Sequence, residues 1–127
     1  MQSRTHKAIS PTLVGEMVEL KDGEASAQLK TFADMSADDH GLVHGGFTFG
    51  LADYAAMLAV NDPFVVLGAA DVRFLAPVRC GDTMKAHAIL ESREGKKHSV
   101  FCTVEVEGKR VFEATFTCFV LEKHILD

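Results

Sequence analysis

Apolar and polar residues alternate with period two along much of the chain, which predicts strands with one buried face. Ala25, Ala27 and Leu29 share one side of a segment whose other side carries Ser26, Gln28 and Lys30. Farther on, Met84, Ala86, Ala88 and Leu90 alternate with Thr83, Lys85 and His87, and Val100, Cys102, Val104 and Val106 alternate with Ser99, Thr103 and Glu105. Phe112, Ala114, Phe116, Cys118 and Val120 continue the rule. Turn signals punctuate these runs at Lys21-Asp22-Gly23-Glu24, Ala76-Pro77, Cys80-Gly81-Asp82, Glu94-Gly95-Lys96 and Glu107-Gly108-Lys109. Asp-Gly between alternating arms supplies the positive φ of a tight hairpin. Leu13 to Phe32 therefore reads as a hairpin, and the second half of the chain as an antiparallel meander.

One segment breaks the alternation. After a polar loop, Ala33 to Leu42, the character changes at His44-Gly45-Gly46, where a helix is expected to begin. From Phe47 to Val60 good helix formers surround apolar bulk (Leu51, Ala52, Ala55, Ala56, Met57, Leu58, Ala59), and Asn61-Asp62-Pro63 is a stop signal. Apolar residues occupy nearly every side, so this helix should be buried all round, as a curved sheet wrapped about it would achieve. The predicted class is α+β.

Length and composition narrow the function. The chain has 127 residues, 47% hydrophobic and 24% charged, with a formal net charge of -5. One domain spanning 1–127 is expected, with the polar residues 1–10 as a flexible extension. The acidic balance argues against a nucleic-acid binder that neutralises phosphates. The three cysteines, Cys80, Cys102 and Cys118, are an odd set without a C-x-x-C pair, which points to reduced thiols. Cys102 and Cys118 fall on inward positions and read as small core hydrophobes. The N-terminus lacks the apolar run of a signal peptide, and Gly45 to Val60 contains Asp53 and is too short to span a bilayer. A cytoplasmic protein without a membrane partner is expected.

Candidate chemistry concentrates between Asp38 and Asp53. A carboxylate on an otherwise apolar helix costs several kcal/mol to bury unless it is paired, hydrogen-bonded or opened to a cleft. Gly45-Gly46 at a helix start leaves backbone N–H groups unobstructed at the positive end of the helix dipole, where a developing oxyanion could be held. Taken singly these features have plainer explanations: a tight turn for the glycines, a helix cap for His44, a structural or interface carboxylate for Asp53. His40 and His44 with Asp38 or Asp39 would supply only part of a metal site, so no metal is expected. Their combination within one short segment is what carries a catalytic reading.

Gly41, His44, Gly45 and Gly46, the acid Asp53 nine places after the histidine, and Asp71-Val72-Arg73-Phe74-Leu75-Ala76-Pro77 leading to Gly81-Asp82 together resemble the hotdog-fold acyl-CoA thioesterases of the PaaI-like, phenylacetate-pathway branch. The resemblance covers Leu13 to Leu121. It implies a long helix wrapped by an antiparallel sheet, protomers paired edge to edge into a homodimer and on into a dimer of dimers, and active sites at the dimer interface. It further implies that the Gly45 N–H polarises a thioester carbonyl, that His44 holds the turn, and that Asp53 of the facing subunit is general base or nucleophile. Gly46, Arg73 and Phe74 are the implied substrate-binding residues, and no cofactor is implied beyond the coenzyme A of the substrate. A shared site agrees with helix geometry, because Gly46 and Asp53 lie about 10 Å apart along one helix, too far to grip one carbonyl within a chain.

Two departures qualify the resemblance. Asp38 stands where that branch usually has Asn or Gln, and Asp38-Asp39-His40-Gly41-Leu42-Val43 also fits the Asp-x-x-Gly-x-Val pattern of the 4-hydroxybenzoyl-CoA type. Two acids facing one substrate would raise one pKa; otherwise Asp38 points to solvent. No Ser or Thr occurs from Val65 to Phe74 to support the base. Arg73, Arg79, Arg93, Lys96 and Lys97 are candidate phosphate ligands, and Phe47, Phe49, Tyr54, Phe64 and Phe74 could line an aromatic acyl pocket or simply be core. The alternatives to thioester hydrolysis are a hotdog dehydratase acting on enoyl or hydroxyacyl thioesters and a non-catalytic acyl-CoA-binding module.

Overall fold

The computed structural model describes residues 1–127. Strands β1 (Glu16–Lys21) and β2 (Glu24–Lys30) form the first hairpin, and a single 3-10 turn (Ala33–Met35) leads to helix α1 (Gly45–Val60). Strands β3 (Val65–Phe74), β4 (Thr83–Glu94), β5 (Lys97–Val106) and β6 (Lys109–Val120) follow. All pairings are antiparallel, and the order across the six-stranded sheet is β1-β2-β4-β5-β6-β3. The helix packs on this sheet as in the hotdog fold.

The period-two pattern produces this sheet directly. Ala25, Ala27 and Leu29, then Met84, Ala86 and Ala88, then Val100, Cys102 and Val104, then Phe112, Ala114, Phe116 and Cys118 are all buried against the helix. The β5–β6 connection shows how local chemistry fixes register. Glu107 and Gly108 both take positive φ, 50° and 79°, as a two-residue turn matched to strand twist requires, and Val106 pairs with Lys109 across it. Register shifts interrupt β1, β3, β4 and β6, and such irregularities add the twist with which a sheet curls around a helix.

Helix α1 has no broad polar face because most of its surface is covered, the stripe through Gly46, Gly50 and Asp53 being the exception. The sheet lies beneath it, and the N-terminal segment crosses above. Thr5 is buried, Ile9 and Val14 pack on the core, and His6 sits beside the Tyr54 ring with centroids 6.5 Å apart. Asn61, the left-handed cap that ends the helix, ties the segment down: Arg4 N–H donates to its Oδ1 at 2.7 Å, and its Nδ2 donates to the Gln2 carbonyl at 3.0 Å. Residues 1–10, expected as a flexible extension, lie against the helix through these contacts. At the other end of the sheet β3 pairs only with β6, which leaves its outer edge of backbone groups open. No helix is long and apolar enough to cross a membrane.

Candidate active site

The start of α1 is built by one histidine and two glycines. His44 is the helix cap; its Nδ1 accepts a hydrogen bond from the Gly46 N–H at 2.8 Å, and its carbonyl accepts from the Phe47 N–H at 3.1 Å. The imidazole is therefore unprotonated at Nδ1. Gly46 is glycine to admit that ring, since a Cβ there would lie 2.8 Å from Nδ1. Gly45 is glycine for another ring, that of Phe74, whose Cε1 would stand 2.9 Å from an added Cβ. Of the two N–H groups expected to be free, only that of Gly45 lacks an acceptor; the Gly46 N–H is taken up by His44. The free N–H sits at the positive end of a 16-residue helix with no acidic residue in its first turn.

Beside Gly45 lies an open groove of about 450 Å³, lined by Leu42, Val43, Thr48, Phe74, Leu75 and Val111 among others. A larger cleft of about 630 Å³ occupies the opposite end of the helix, around Asn61, Lys21 and His98, and holds neither the free N–H nor Asp53. The aromatics divide: Tyr54 is buried, Phe49 packs edge-on against Phe116 with centroids 5.6 Å apart, and Phe47 is half-buried, whereas Phe64 and Phe74 remain exposed. Only Phe74 borders the groove.

Asp53 lies two helical turns beyond Gly45, about 12 Å along the axis. Its Oδ1 is buried without a hydrogen-bond partner, although the residue as a whole is half-exposed. Burial pushes its carboxyl from the ordinary carboxylate value up to about 6, with no second carboxylate contributing. Burial, with a smaller contribution from the Asp53 charge, pushes the Cys102 and Cys118 thiols up to about 12, so both stay protonated and act as apolar core. Asp53 does not border the groove beside its own Gly45.

The remaining candidates separate from this centre. Asp38 is exposed, and its Oδ1 accepts from the backbone N–H of His40 at 2.9 Å and of Leu42 at 3.2 Å, so it organises the loop that leads to the helix. Arg73 pairs with Glu113 across β3 and β6 and sits with Asp71, Phe101 and Thr115 on the outer face of the sheet, whereas its neighbour Phe74 faces inward onto Phe112. The chain does not bring Arg73 to the groove. Arg79, Arg93, Lys96 and Lys97 are exposed and scattered; Arg93 lies 3.9 Å from Asp22 and Lys96 3.9 Å from Glu122. No group of three His, Cys, Asp or Glu side chains is placed to hold a metal ion. Sequence reasoning missed Thr48, Leu42 and Val111 as groove residues. Leu42 had a signal in its closeness to His44, but Val111 arrives from the far end of the chain through the β3–β6 pairing and had none.

The sequence profile of the thioesterase superfamily matches residues 40–113, which include His44, Gly45, Gly46 and Asp53. The chain belongs to the thioesterase superfamily. Its fold is that of an uncharacterized protein of Pyrococcus horikoshii, 54% identical, with a TM-score of 0.99 over 100% of this chain and 98% of that one. A variant of the phenylacetic acid degradation protein PaaI from Thermus thermophilus is 32% identical, with a TM-score of 0.79 over 86% of this chain and 95% of that one. This superfamily member is therefore of the PaaI type. Among curated proteins, a methylthioribose-1-phosphate isomerase of Aquifex aeolicus is 46% identical over 96% of this chain. The transcription factor FapR of Caldanaerobacter subterraneus is 27% identical over 90% of this chain. The chain spans only 27% of the first of these relatives and 58% of the second.

Proposed function

We propose that this thioesterase-superfamily chain hydrolyses acyl-CoA thioesters to a carboxylic acid and coenzyme A, as a homodimer in which Gly45 of one protomer and Asp53 of the other share a substrate. The observation that carries this reading is the pair of unsatisfied groups: a free N–H at the Gly45 helix start, and a buried Asp53 oxygen with no partner, set too far apart in one chain to meet. Two helices packed antiparallel would bring each group to the other's counterpart. Gly50 supports such an approach, since a Cβ there would meet nothing within 4 Å, so this chain's own packing does not require a glycine at that point.

In the reaction the Gly45 N–H donates to the carbonyl oxygen as it gains charge. Asp53 either takes a proton from water while the water oxygen attacks the acyl carbon, or attacks that carbon itself to form an anhydride that water then opens. In both routes the C–S bond breaks and the thiolate departs with little proton help, since thiol pKa values lie near about 8.5. The reading uses no metal or cofactor, and His44 acts by positioning the Gly45-Gly46 turn. Asp38 enters as a positioning residue of the preceding loop. Arg73, on the outer face, could reach substrate only from a neighbouring protomer. A cytoplasmic setting and a further pairing into a dimer of dimers belong to the same reading, the first supported by the unpaired thiols.

Free-thiol release from acyl-CoA is the test. Asp53→Asn should abolish release while leaving acyl-CoA binding within a fewfold of the parent chain; undiminished release would remove Asp53 from this role. The likeness to a transcription factor favours one second reading, a ligand-binding module without turnover, and tight acyl-CoA binding with no thiol released by the parent chain would establish it.

A further inference from the structure

We propose that the groove beside Gly45 receives an uncharged, apolar acyl group, and that Phe74 is the residue that sets how long a chain it accepts. This rests on the hydrolytic reading of the same site, whose oxyanion donor, the Gly45 N–H, opens beside that groove.

The lining decides the polarity of the occupant. Every residue bordering the groove is uncharged, and its one side-chain hydroxyl, that of Thr48, is buried and donates to the Met84 sulfur at 3.3 Å. A carboxylate at the far end of an acyl group would lose its hydration there and find no cation or free side-chain donor. An alkyl or aryl group would instead cover Leu42, Phe74 and Leu75, which are 41%, 56% and 47% exposed. Large apolar side chains left open around a concave wall are the ordinary composition of a small-molecule site, and a volume of about 450 Å³ has room for far more than an acetyl group.

Phe74 is placed to measure length. Its ring rests edge-on against Phe112, with centroids 5.2 Å apart, and lies against Gly45, where it would touch any added Cβ. It thus stands next to the donor that fixes the acyl carbonyl, at the end of β3 where the chain turns away through Leu75 and Ala76. A chain extending from that carbonyl along the groove must pass or abut the ring. Removing the ring lengthens the groove without adding a polar group.

The experiment is a panel of acetyl-, butyryl-, octanoyl-, dodecanoyl-, phenylacetyl- and malonyl-CoA. It is scored both for thiol release by the parent chain and for calorimetric binding to Asp53→Asn. Selectivity should rise by up to about fourfold per methylene until the groove is filled, the value expected for burying one CH₂. Malonyl-CoA should fall at least about a hundredfold below octanoyl-CoA, since its carboxylate has no partner there. Phe74→Ala should raise the dodecanoyl-to-octanoyl ratio about tenfold through KM, and Phe74→Leu should fall between. Malonyl-CoA handled as well as octanoyl-CoA would overturn the proposal. So would a Phe74→Ala profile parallel to the parent's across the panel, the result expected if a partner subunit fills the groove. Apolar selectivity in binding with no thiol released from any member would leave the groove assignment standing and defeat only the hydrolytic reading. Thiol release without apolar selectivity would do the reverse. Because the Asp53→Asn binding series needs no change at Phe74, a Phe74 variant that failed to fold would still leave the polarity claim decided.

Discussion

Gly45 and Gly46 stand side by side and have different reasons to lack a side chain. At Gly46 the space is filled by the His44 ring, at Gly45 by Phe74, and neither residue has a positive φ. The sequence pair therefore exposes one donor, because the imidazole takes the other. Proline is tolerated at the first position of a helix and favours an extended residue before it, as His44 is with ψ 132°. Gly45→Pro should thus fold with Phe74 displaced, lose the donor, and lower kcat by roughly 10²–10³, the usual cost of removing an oxyanion contact; a fall below about fivefold would show the N–H to be dispensable. Asp53 makes a paired prediction. Its carboxyl titrates near 6, and both candidate mechanisms need it ionised, so thiol release should rise with pH to a plateau and stand at half its maximum at about pH 6. Because the folded state holds that proton more tightly than the unfolded chain does, stability falls as pH rises from about 4 to about 6. Asp53→Asn should accordingly stabilise the fold by up to about 3 kcal/mol at pH 8, a gain that vanishes below about pH 4. Urea unfolding at the two pH values and fixed protein concentration measures the difference. The cost of an acid on an apolar helix was legible in the sequence. The loop role of Asp38 was not, since the same carboxylate could equally have faced a substrate until its bonds to His40 and Leu42 were seen.

At the scale of elements, alternation made the strands legible and also contained a reading that was not drawn. Arg73 and Phe74 are adjacent on β3, so they must face opposite sides of the sheet, and only one of them can line a pocket on the helix side. The helix was legible as buried all round, but what covers its second side was not. The covering segment is polar in composition and holds on through a few contacts, chiefly those of Thr5, His6 and Asn61. Asn61 combines a left-handed backbone, φ 53°, with both side-chain bonds, and two replacements separate the roles. Asn61→Gly keeps the backbone and loses the bonds; it should lower stability by about 1–2 kcal/mol and speed tryptic cleavage after Arg4 and Lys7, both exposed. Asn61→Ala adds the cost of positive φ and should be less stable than the glycine variant. Equal stability and unchanged cleavage would mean that the segment is held without Asn61.

At the scale of the whole molecule, what a single chain lacks is informative. It has an open edge on β3, a helix face on which a side chain at Gly50 would meet nothing, and two reactive groups that cannot meet. Sequence pointed to that incompleteness through the family resemblance and the spacing of Gly46 and Asp53 along one helix; which edge is open needed the strand order, in which β3, central in the chain, lies outermost in the sheet. The proposed symmetric dimer would resolve all three at once, since one two-fold axis would pair each Gly45 with the opposite Asp53. That claim is tested most directly by mixing. Gly45→Pro and Asp53→Asn, each inactive alone, are unfolded together and refolded at equal concentration. If every site takes its donor from one protomer and its acid from the other, half the dimers are mixed and each mixed dimer carries one intact site, so about a quarter of the parent activity should return. Should the mixture stay as inactive as its components while forming mixed dimers, the site lies within one chain and the account is contradicted.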